Sequence, residues 1–416
     1  MNWTNWTNET TYLHYYFMTS HIKYLCLFLC VSLLSWVYLI YNVRTNTPDF
    51  QADEMYWIST ARIIPLLASK NTTDPFWREY YGYANFNGGK FIYGVGLWLF
   101  GYRDFTFAGS PPDTYYRYQS IQGKYPVDDP YYPILRDARE ISATFAALAV
   151  GLMAVWVFII FENIIPALLS AVVLIIHPIF LSFATIAFTD SFSLFFQMVF
   201  LVMLECYLRI KKGRTHLVLT ILLGCCLAEL TAIKMNGLLF GGVFVFYAIA
   251  KHKVFTSRDG WKAFMADLGI FTAAGVNMFL LLHPNFSFPG ANGPLDVLEG
   301  RLRITAYQMS YWGKNNPQYV WWTIPDRVVG SFHILFSSSP LGFLMMLTGL
   351  LLLMRNFQIP YGVQLSKVSV SAFYIYDVIL QYVVFNQARY LLPILPFLIA
   401  FSVYIFAMIL RPQKAT

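Results

Sequence analysis

Long apolar stretches separated by polar segments run along most of this chain. A helix that crosses a bilayer needs about 20 apolar residues in succession. The pattern predicts ten such spans, at residues 24–43, 140–160, 164–182, 186–208, 216–234, 237–250, 264–283, 328–354, 368–384 and 389–410. It therefore predicts an all-α polytopic membrane protein with about ten transmembrane helices.

Basic residues cluster in the segments that separate alternate spans. The clusters share one side of the predicted topology and contain Arg209 to Arg214, Lys251 to Lys262, Arg355 with Lys367, and Arg411 with Lys414. Because cytoplasmic loops carry an excess of Lys and Arg, we assign this side to the cytoplasm. Residues 1–23 and 411–416 are then cytoplasmic, 24–410 form one transmembrane domain, and the long loops 44–139 and 284–327 lie outside.

The composition agrees with a membrane protein. Of the 416 residues, 57% are hydrophobic and only 12% are charged, whereas an ordinary soluble domain carries about 25% charged residues. The net charge of +7 comes from the loops between spans, so it does not indicate nucleic-acid binding. The five cysteines lie in apolar stretches, where they behave as small hydrophobes, and no disulfide framework is predicted.

Two adjacent carboxylates, Asp53 and Glu54, follow the first span on the predicted outer side. A carboxylate just outside a bilayer can take a proton from an acceptor hydroxyl. Acidic residues also favour the positive N-terminal end of a helix, and the pair taken alone fits that explanation better. Residues 53–69 are predicted to form an interfacial helix broken near Pro65. The apolar segment 91–103 is too short to span, so it is predicted to be interfacial or re-entrant.

Other ionisable residues fall at the predicted outer ends of spans. Asp190 lies within the fourth span, where a charged side chain costs about 3 kcal/mol and indicates a function, although Thr189-Asp190 also fits a helix start. Lys234 ends the fifth span and Arg389 begins the last. Either cation is able to bind a phosphate, and either is also able to reach the lipid headgroups as a snorkelling side chain.

The second outer loop combines arginines with aromatic residues. Arg301 and Arg303 precede several tyrosines and tryptophans, a combination that suits sugar or lipid headgroups and equally an interfacial aromatic belt. His283 closes the seventh span, where a histidine is more often a satisfied interfacial residue. No second His or Cys lies at ligand spacing from it, so no metal site is predicted. Tyr56, His283 and Tyr390 are candidate substrate-binding residues.

Several motifs follow one another on the same predicted side of the membrane. After the acidic pair come Asn85–Lys90 before Tyr93-Gly-Val-Gly-Leu, Arg139 at the opening of the second span, Thr189-Asp190, Lys234-Met-Asn-Gly, and Arg389-Tyr390-Leu-Leu-Pro. In this order of motifs the chain resembles the GT-C superfamily of polyprenyl-phosphate-sugar-dependent glycosyltransferases. The branch it resembles most is that of the protein O-mannosyltransferases and aminoarabinose (lipid A) transferases.

The resemblance implies a membrane glycosyltransferase. Such an enzyme moves one sugar from a polyprenyl (dolichyl or undecaprenyl) phosphate to an acceptor hydroxyl on the extracytoplasmic or lumenal side. It implies Asp53 as the catalytic carboxylate, Glu54 as the supporting acid, and Asp190 as a residue that orients the donor, the acceptor or the basic groups. The expected ligands of the donor phosphate are Lys234, Arg389, Arg301 and Arg303.

The same resemblance sets the expected partners and location. The partners are the polyprenyl-phosphate sugar, the lipid bilayer, and an acceptor glycan, glycolipid or protein Ser or Thr, with no nucleic acid. The membrane is the plasma membrane of a prokaryote or that of the endoplasmic reticulum. Asp53, Glu54 and Asp190 offer oxygen ligands to a divalent metal, but the branches that this chain resembles mostly do not require one. A divalent metal is therefore not favoured, and the question stays open at this point.

Two other functions stay open at this point. A transporter or lipid flippase suits ten spans, but it predicts related halves and binding residues near the bilayer midplane. The sequence shows no internal repeat, and its ionisable residues cluster toward the outer face. A non-catalytic assembly factor is disfavoured only by the presence of Asp53, Asp190 and two outer cations together.

Overall fold

A computed structural model of the chain describes most of its first 288 residues and its last predicted span. The described residues are 4–46, 49–77, 87–103, 121, 123–211, 213–255, 257–288, 293, 295–296, 299–300, 303 and 391–409. Every regular element among them is helical, which confirms the predicted fold class. The predicted spans 328–354 and 368–384 and the candidates Arg301, Arg389 and Tyr390 lie outside the described residues.

Twelve α-helices are found in the described part of the chain. They are α1 (Thr4–Thr45), α2 (Ala52–Thr60), α3 (Ile63–Ala68), α4 (Gly88–Leu99), α5 (Tyr132–Phe161), α6 (Ile164–Ile176), α7 (Pro178–Ala184), α8 (Asp190–Arg209), α9 (Arg214–Ile233), α10 (Phe240–His252), α11 (Arg258–Leu282) and α12 (Leu395–Ile409). Short 3-10 helices occupy Pro75–Trp77, Met235–Leu239 and Pro284–Ser287.

Five of these helices are long and apolar enough to cross a membrane. They are the Ile22–Thr45 part of α1 and the whole of α5, α8, α9 and α11. The bent pair of α6 and α7 makes a sixth candidate if it is counted as one span. The chain is therefore a multi-pass membrane protein.

The predicted third span, 164–182, is broken into two helices. α6 and α7 meet at an angle of 66°, with His177 between them in an extended conformation. A residue that precedes a proline avoids the helical conformation, and Pro178 has no N–H to continue the helix. His177 Nδ1 then accepts a hydrogen bond of 3.3 Å from the Ile179 N–H and so caps α7.

The first outer loop contains α2, α3 and α4. The predicted interfacial helix over 53–69 is interrupted as expected, with the break at Ala61 and Arg62, three to four residues before Pro65. Pro65 has no N–H to bond the carbonyl of Ala61, so α2 cannot continue through it, and Pro65 instead falls in the first turn of α3. The predicted segment 91–103 corresponds largely to α4, which begins three residues earlier.

Two hydrophobic clusters organise the bundle. The larger one fills the space between α1 and the eight helices α5 to α12. The second joins α2 and α4 to α5 and α8 and includes Met55, Tyr93, Leu135 and Phe192. We call this end of the bundle the outer end, after the predicted topology. The second cluster holds the acidic pair of α2 against the start of α8.

Candidate active site

Glu54 joins the first outer loop to the helix bundle. Its carboxylate accepts hydrogen bonds of 2.7 Å from Nε and from Nη2 of Arg139 on α5. It also accepts 2.7 Å from the Ala187 N–H and 3.1 Å from the Gln51 N–H. The Glu54 and Arg139 side chains are 0% and 2% exposed. Glu54 is thus engaged in holding α2 against α5 and against the segment that precedes Asp190.

A second buried contact holds the same segment. The Tyr93 hydroxyl of α4 shares a hydrogen bond of 2.7 Å with Ser142 Oγ on α5. It also lies 3.0 Å from the Phe188 carbonyl, to which it is able to donate. Ala187 and Phe188 are therefore anchored to two different helices. These anchors position Asp190, which begins α8 two residues later.

Asp190 forms an ion pair with Lys234. Asp190 Oδ1 lies 2.5 Å from Lys234 Nζ, and the two side chains are 4% and 23% exposed. Thr189 makes no side-chain capping hydrogen bond at the start of α8. The structure thus brings together two of the predicted site residues from the ends of α8 and α9, with the cation the more exposed partner.

Two glycines let α4 approach this ion pair. A Cβ atom on Gly89 would lie 2.4 Å from Thr189 Cγ2 and 3.4 Å from the Trp57 ring. A Cβ atom on Gly88 would lie 2.9 Å from the backbone of Ala232. Because glycine has no side chain, the N-terminus of α4 is able to lie close to α2, the start of α8 and the end of α9. A side chain at either position would not fit.

Asp53 lies in the first turn of α2 and is half-buried. Residues four apart on a helix share a face, so Asp53 and Trp57 are on the same side of α2. The Trp57 ring lies beside Gly89 and Thr189. The face of α2 that carries Asp53 is therefore the face turned toward α4 and the start of α8.

Lys90 is a buried cation at this end that is not among the predicted site residues. Its side chain is 0% exposed, Nζ donates to Asn87 Oδ1 at 3.4 Å, and it lies 5.8 Å from the centroid of the Phe76 ring. Lysines are almost never fully buried unless they are paired. The Asn-Gly-Gly-Lys sequence was the available signal, but nothing in it distinguishes a buried lysine from a surface one.

His283 connects the end of α11 to the start of α4. Its Nε2 accepts a hydrogen bond of 3.2 Å from the Asn87 N–H. The other ring nitrogen, Nδ1, then carries the proton and donates to the Phe279 carbonyl at 2.8 Å. Burial lowers the pKa of His283 to about 4. The histidine is neutral near pH 7, and both of its ring nitrogens make hydrogen bonds to the backbone.

The remaining described candidates are Tyr56 and Arg303. Tyr56 is buried on α2, and its ring makes an edge-to-face contact with Trp57 at a centroid distance of 5.5 Å. Arg303 is 79% exposed and pairs with Glu299, four residues earlier, at 2.5 Å. Tyr56 thus packs beside the helix face that carries Asp53, and Arg303 takes part in a surface ion pair.

Comparisons with known proteins bear on the family and on the fold of this chain. Residues 89–283 match the family model of the dolichyl-phosphate-mannose-protein mannosyltransferases. The fold is similar to that in the crystal structure of the Archaeoglobus fulgidus oligosaccharyltransferase complex with Zn and sulfate, at a TM-score of 0.53 and 14% identity over 91% of this chain. The alignment covers 49% of that chain, so this protein spans about half the length of the oligosaccharyltransferase. No curated protein matches by sequence.

The family match and the fold match cover different parts of the chain. The family match begins at Gly89, so it includes Lys90, Asp190 and Lys234 but not the acidic pair of α2. The fold match extends over most of the chain. Together they confirm the resemblance to the GT-C superfamily that the order of the motifs predicted.

Proposed function

Because the chain has a GT-C-like membrane fold and matches a mannosyltransferase family model, we propose that it is a membrane glycosyltransferase. It transfers a single sugar from a polyprenyl-phosphate donor to an acceptor hydroxyl at the outer end, on the extracytoplasmic or lumenal side. The observation that carries the proposal is that buried contacts hold the Asp53 face of α2 toward the Asp190–Lys234 ion pair.

Asp53 is the proposed general base. The two oxygens of Glu54 are engaged by the Arg139 guanidinium and two backbone N–H groups, so Glu54 acts as a positioning residue. Asp53 is half-buried at the N-terminus of α2, where the helix dipole favours the ionised carboxylate. An ionised carboxylate takes the proton of the acceptor hydroxyl as that oxygen attacks the sugar.

Lys234 is the proposed ligand of the donor phosphate. As the bond between the anomeric carbon and the phosphate oxygen breaks, negative charge develops on the phosphate, and a nearby ammonium stabilises it. Asp190 positions Lys234 through their ion pair at 2.5 Å. Arg389 and Arg301 stay predicted phosphate ligands from the part of the chain that the structure does not describe.

The chemistry needs one base and no acid. A polyprenyl phosphate leaves without a proton, in contrast to the leaving group of a glycosidase, which requires a general acid. Attack from the face opposite the phosphate then inverts the anomeric centre. The description of the matched family makes dolichyl-phosphate mannose the first donor to test and a protein Ser or Thr the first acceptor.

The test is transfer of labelled mannose by the purified chain in lipid nanodiscs. Asp53→Asn should lower transfer by about 100-fold or more and leave donor binding intact. Asp49→Asn, at an exposed carboxylate four residues earlier, is the matched control and should transfer as the wild type does. Equal transfer by Asp53→Asn would refute the assignment of the base. Movement of the donor across a vesicle bilayer without any transfer would favour a flippase instead.

A further inference from the structure

A cluster of polar side chains lies at the opposite end of the bundle, which we call the inner end. It contains Tyr207 near the end of α8, His216 in the first turn of α9, His252 at the end of α10 and Asp267 on α11. Asp267 Oδ2 lies 2.6 Å from the Tyr207 hydroxyl, 2.7 Å from His252 Nε2 and 3.2 Å from His216 Nε2. One carboxylate oxygen is therefore the focus of three side chains.

These atoms have nearly the spacing of ligands around one metal ion. The ligand atoms of His216, His252 and Asp267 all lie within 4.8 Å of one another. Bonds to Zn²⁺ of about 2.0–2.1 Å in a tetrahedron put neighbouring ligand atoms about 3.3 Å apart. The Tyr207 hydroxyl lies 3.3 Å from His252 Nε2. Side-chain adjustments of less than about 1 Å would therefore admit an ion.

The cluster is enclosed and its rings are held in place. The side chains of His216, His252 and Asp267 are 7%, 5% and 9% exposed, and Tyr207 is fully buried. The Tyr207 ring stacks on His216 with a centroid distance of 5.1 Å and an interplanar angle of 28°. Each of the four side chains comes from a different helix, so their convergence is a property of the tertiary structure.

Polar atoms crowd around one oxygen of the Asp267 carboxylate. A carboxylate oxygen has about two lone-pair sites, yet three polar atoms lie within 3.2 Å of Asp267 Oδ2. A cation placed among these atoms would bind each of them directly. Two neutral imidazoles with a carboxylate are a donor set that suits Zn²⁺.

Lys251 is a cation beside the cluster. Its Nζ lies 3.9 Å from the centroid of the Tyr207 ring and donates to the carbonyls of Tyr207 and Ile210. A positive neighbour weakens the binding of a dication, and the Asp267 carboxylate is the negative ligand that offsets it.

We propose that His216, His252 and Asp267, with Tyr207 as the fourth donor, bind one Zn²⁺ and so join the inner ends of α8, α9, α10 and α11. The site is separate from the proposed active site. Tyr207 follows Asp190 by 17 residues along α8 (207 − 190), which is about 25 Å at 1.5 Å per residue. Metal binding at the inner end is thus independent of whether sugar is transferred at the outer end.

The test is metal binding by the purified full chain without a histidine tag. After treatment with a chelator, the wild type should bind one Zn²⁺ per chain, and Co²⁺ in its place should give the intense visible absorption of a four-coordinate site. His252→Gln should weaken Zn²⁺ binding by at least about 100-fold, because even changes around the ligands reduce affinity 10- to 100-fold. His177→Asn is the matched control, because it replaces another buried histidine with a residue that is also able to cap α7.

Two outcomes would overturn the proposal. One is a wild-type protein that retains far less than one Zn²⁺ per chain, and the other is equal affinity in the wild type and His252→Gln. Should His252→Gln fail to fold, Tyr207→Phe keeps three ligands and decides the question. It should change the Co²⁺ spectrum and weaken binding, and an unchanged spectrum and affinity would contradict the four-ligand site.

Discussion

The substitution Glu54→Gln should destabilise this protein strongly although it preserves the shape of the side chain. Arg139 is 2% exposed, and two of its nitrogens lie 2.7 Å from the Glu54 carboxylate. Removing one partner of a buried ion pair costs about 3–5 kcal/mol, because the other charge stays buried without compensation. The amide also exchanges one acceptor oxygen for a donor, which costs about 1 kcal/mol more in hydrogen bonding. We expect a loss of about 4 kcal/mol or more.

The double variant Glu54→Gln/Arg139→Met separates the cost of leaving one buried charge without its partner from the other costs of the two substitutions. Replacing both members of a buried pair by uncharged side chains leaves no buried charge without a partner. If each single substitution costs about 4 kcal/mol, their sum is about 8 kcal/mol. A coupling energy of about 3 kcal/mol, the upper end for residues in contact, should reduce the loss in the double variant to about 5 kcal/mol (8 − 3).

The assay is denaturant-induced unfolding in mild detergent micelles, followed by tryptophan fluorescence. The matched control is Glu140→Gln, because Glu140 binds Arg44 through two hydrogen bonds of 2.8 and 3.1 Å. Arg44 is 60% exposed, so water is able to solvate it, and this change should cost less than about 1 kcal/mol. The reasoning fails if Glu54→Gln costs no more than Glu140→Gln, or if the two single effects add in the double variant.

Three further predictions concern the outer end. Lys234→Met should raise the KM for the polyprenyl-phosphate donor and lower kcat/KM about 10- to 100-fold, with partial recovery in Lys234→Arg; unchanged kinetics would contradict its role. Gly89→Ala places a Cβ atom 2.4 Å from Thr189 Cγ2 and should lower sugar transfer. The control Gly242→Ala, whose Cβ atom meets nothing within 4 Å, should not lower it. Equal activity in both variants would contradict a role for the close packing of α4 against the start of α8. Burial lowers the pKa of His283 to about 4 from about 6.5 in the unfolded chain. The contribution of His283 to the free energy of unfolding should therefore be complete above pH 6.5 and fall between pH 6.5 and 4. The free energy of unfolding of His283→Gln should lack this part of the pH dependence. An identical pH profile in the wild type and the variant would refute the prediction.

The apolar pattern predicted the long helices because burial in a bilayer requires a nearly continuous apolar segment. The predicted span 186–208 corresponds to α8 at 190–209, and 216–234 corresponds to α9 at 214–233. Local backbone chemistry was harder to predict from hydropathy. The bend at His177 follows from the proline after it. Counting apolar residues does not detect a helix break of this kind.

The inner cluster had no signal in the sequence. His216, His252 and Asp267 are separated by 36 residues (252 − 216) and 15 residues (267 − 252), unlike the short ligand spacings that mark many zinc sites. These residues come together because α9, α10 and α11 reach the same end of the bundle. Their proximity depends on tertiary packing, so a search for spaced ligands along the chain would not find them.

The different roles of Asp53 and Glu54 could not be predicted from their local sequence. Asp53 and Glu54 are adjacent carboxylates with the same charge, and a local pattern gives no reason to assign them different roles. Successive residues on a helix point about 100° apart, so one side of α2 carries Glu54 into a site lined by Arg139 and Ala187. These partners lie 85 and 133 residues further along the chain. The same rotation leaves Asp53 half-buried on the face turned toward α4. The division between a positioning acid and a proposed base therefore follows from helix geometry together with two distant partners.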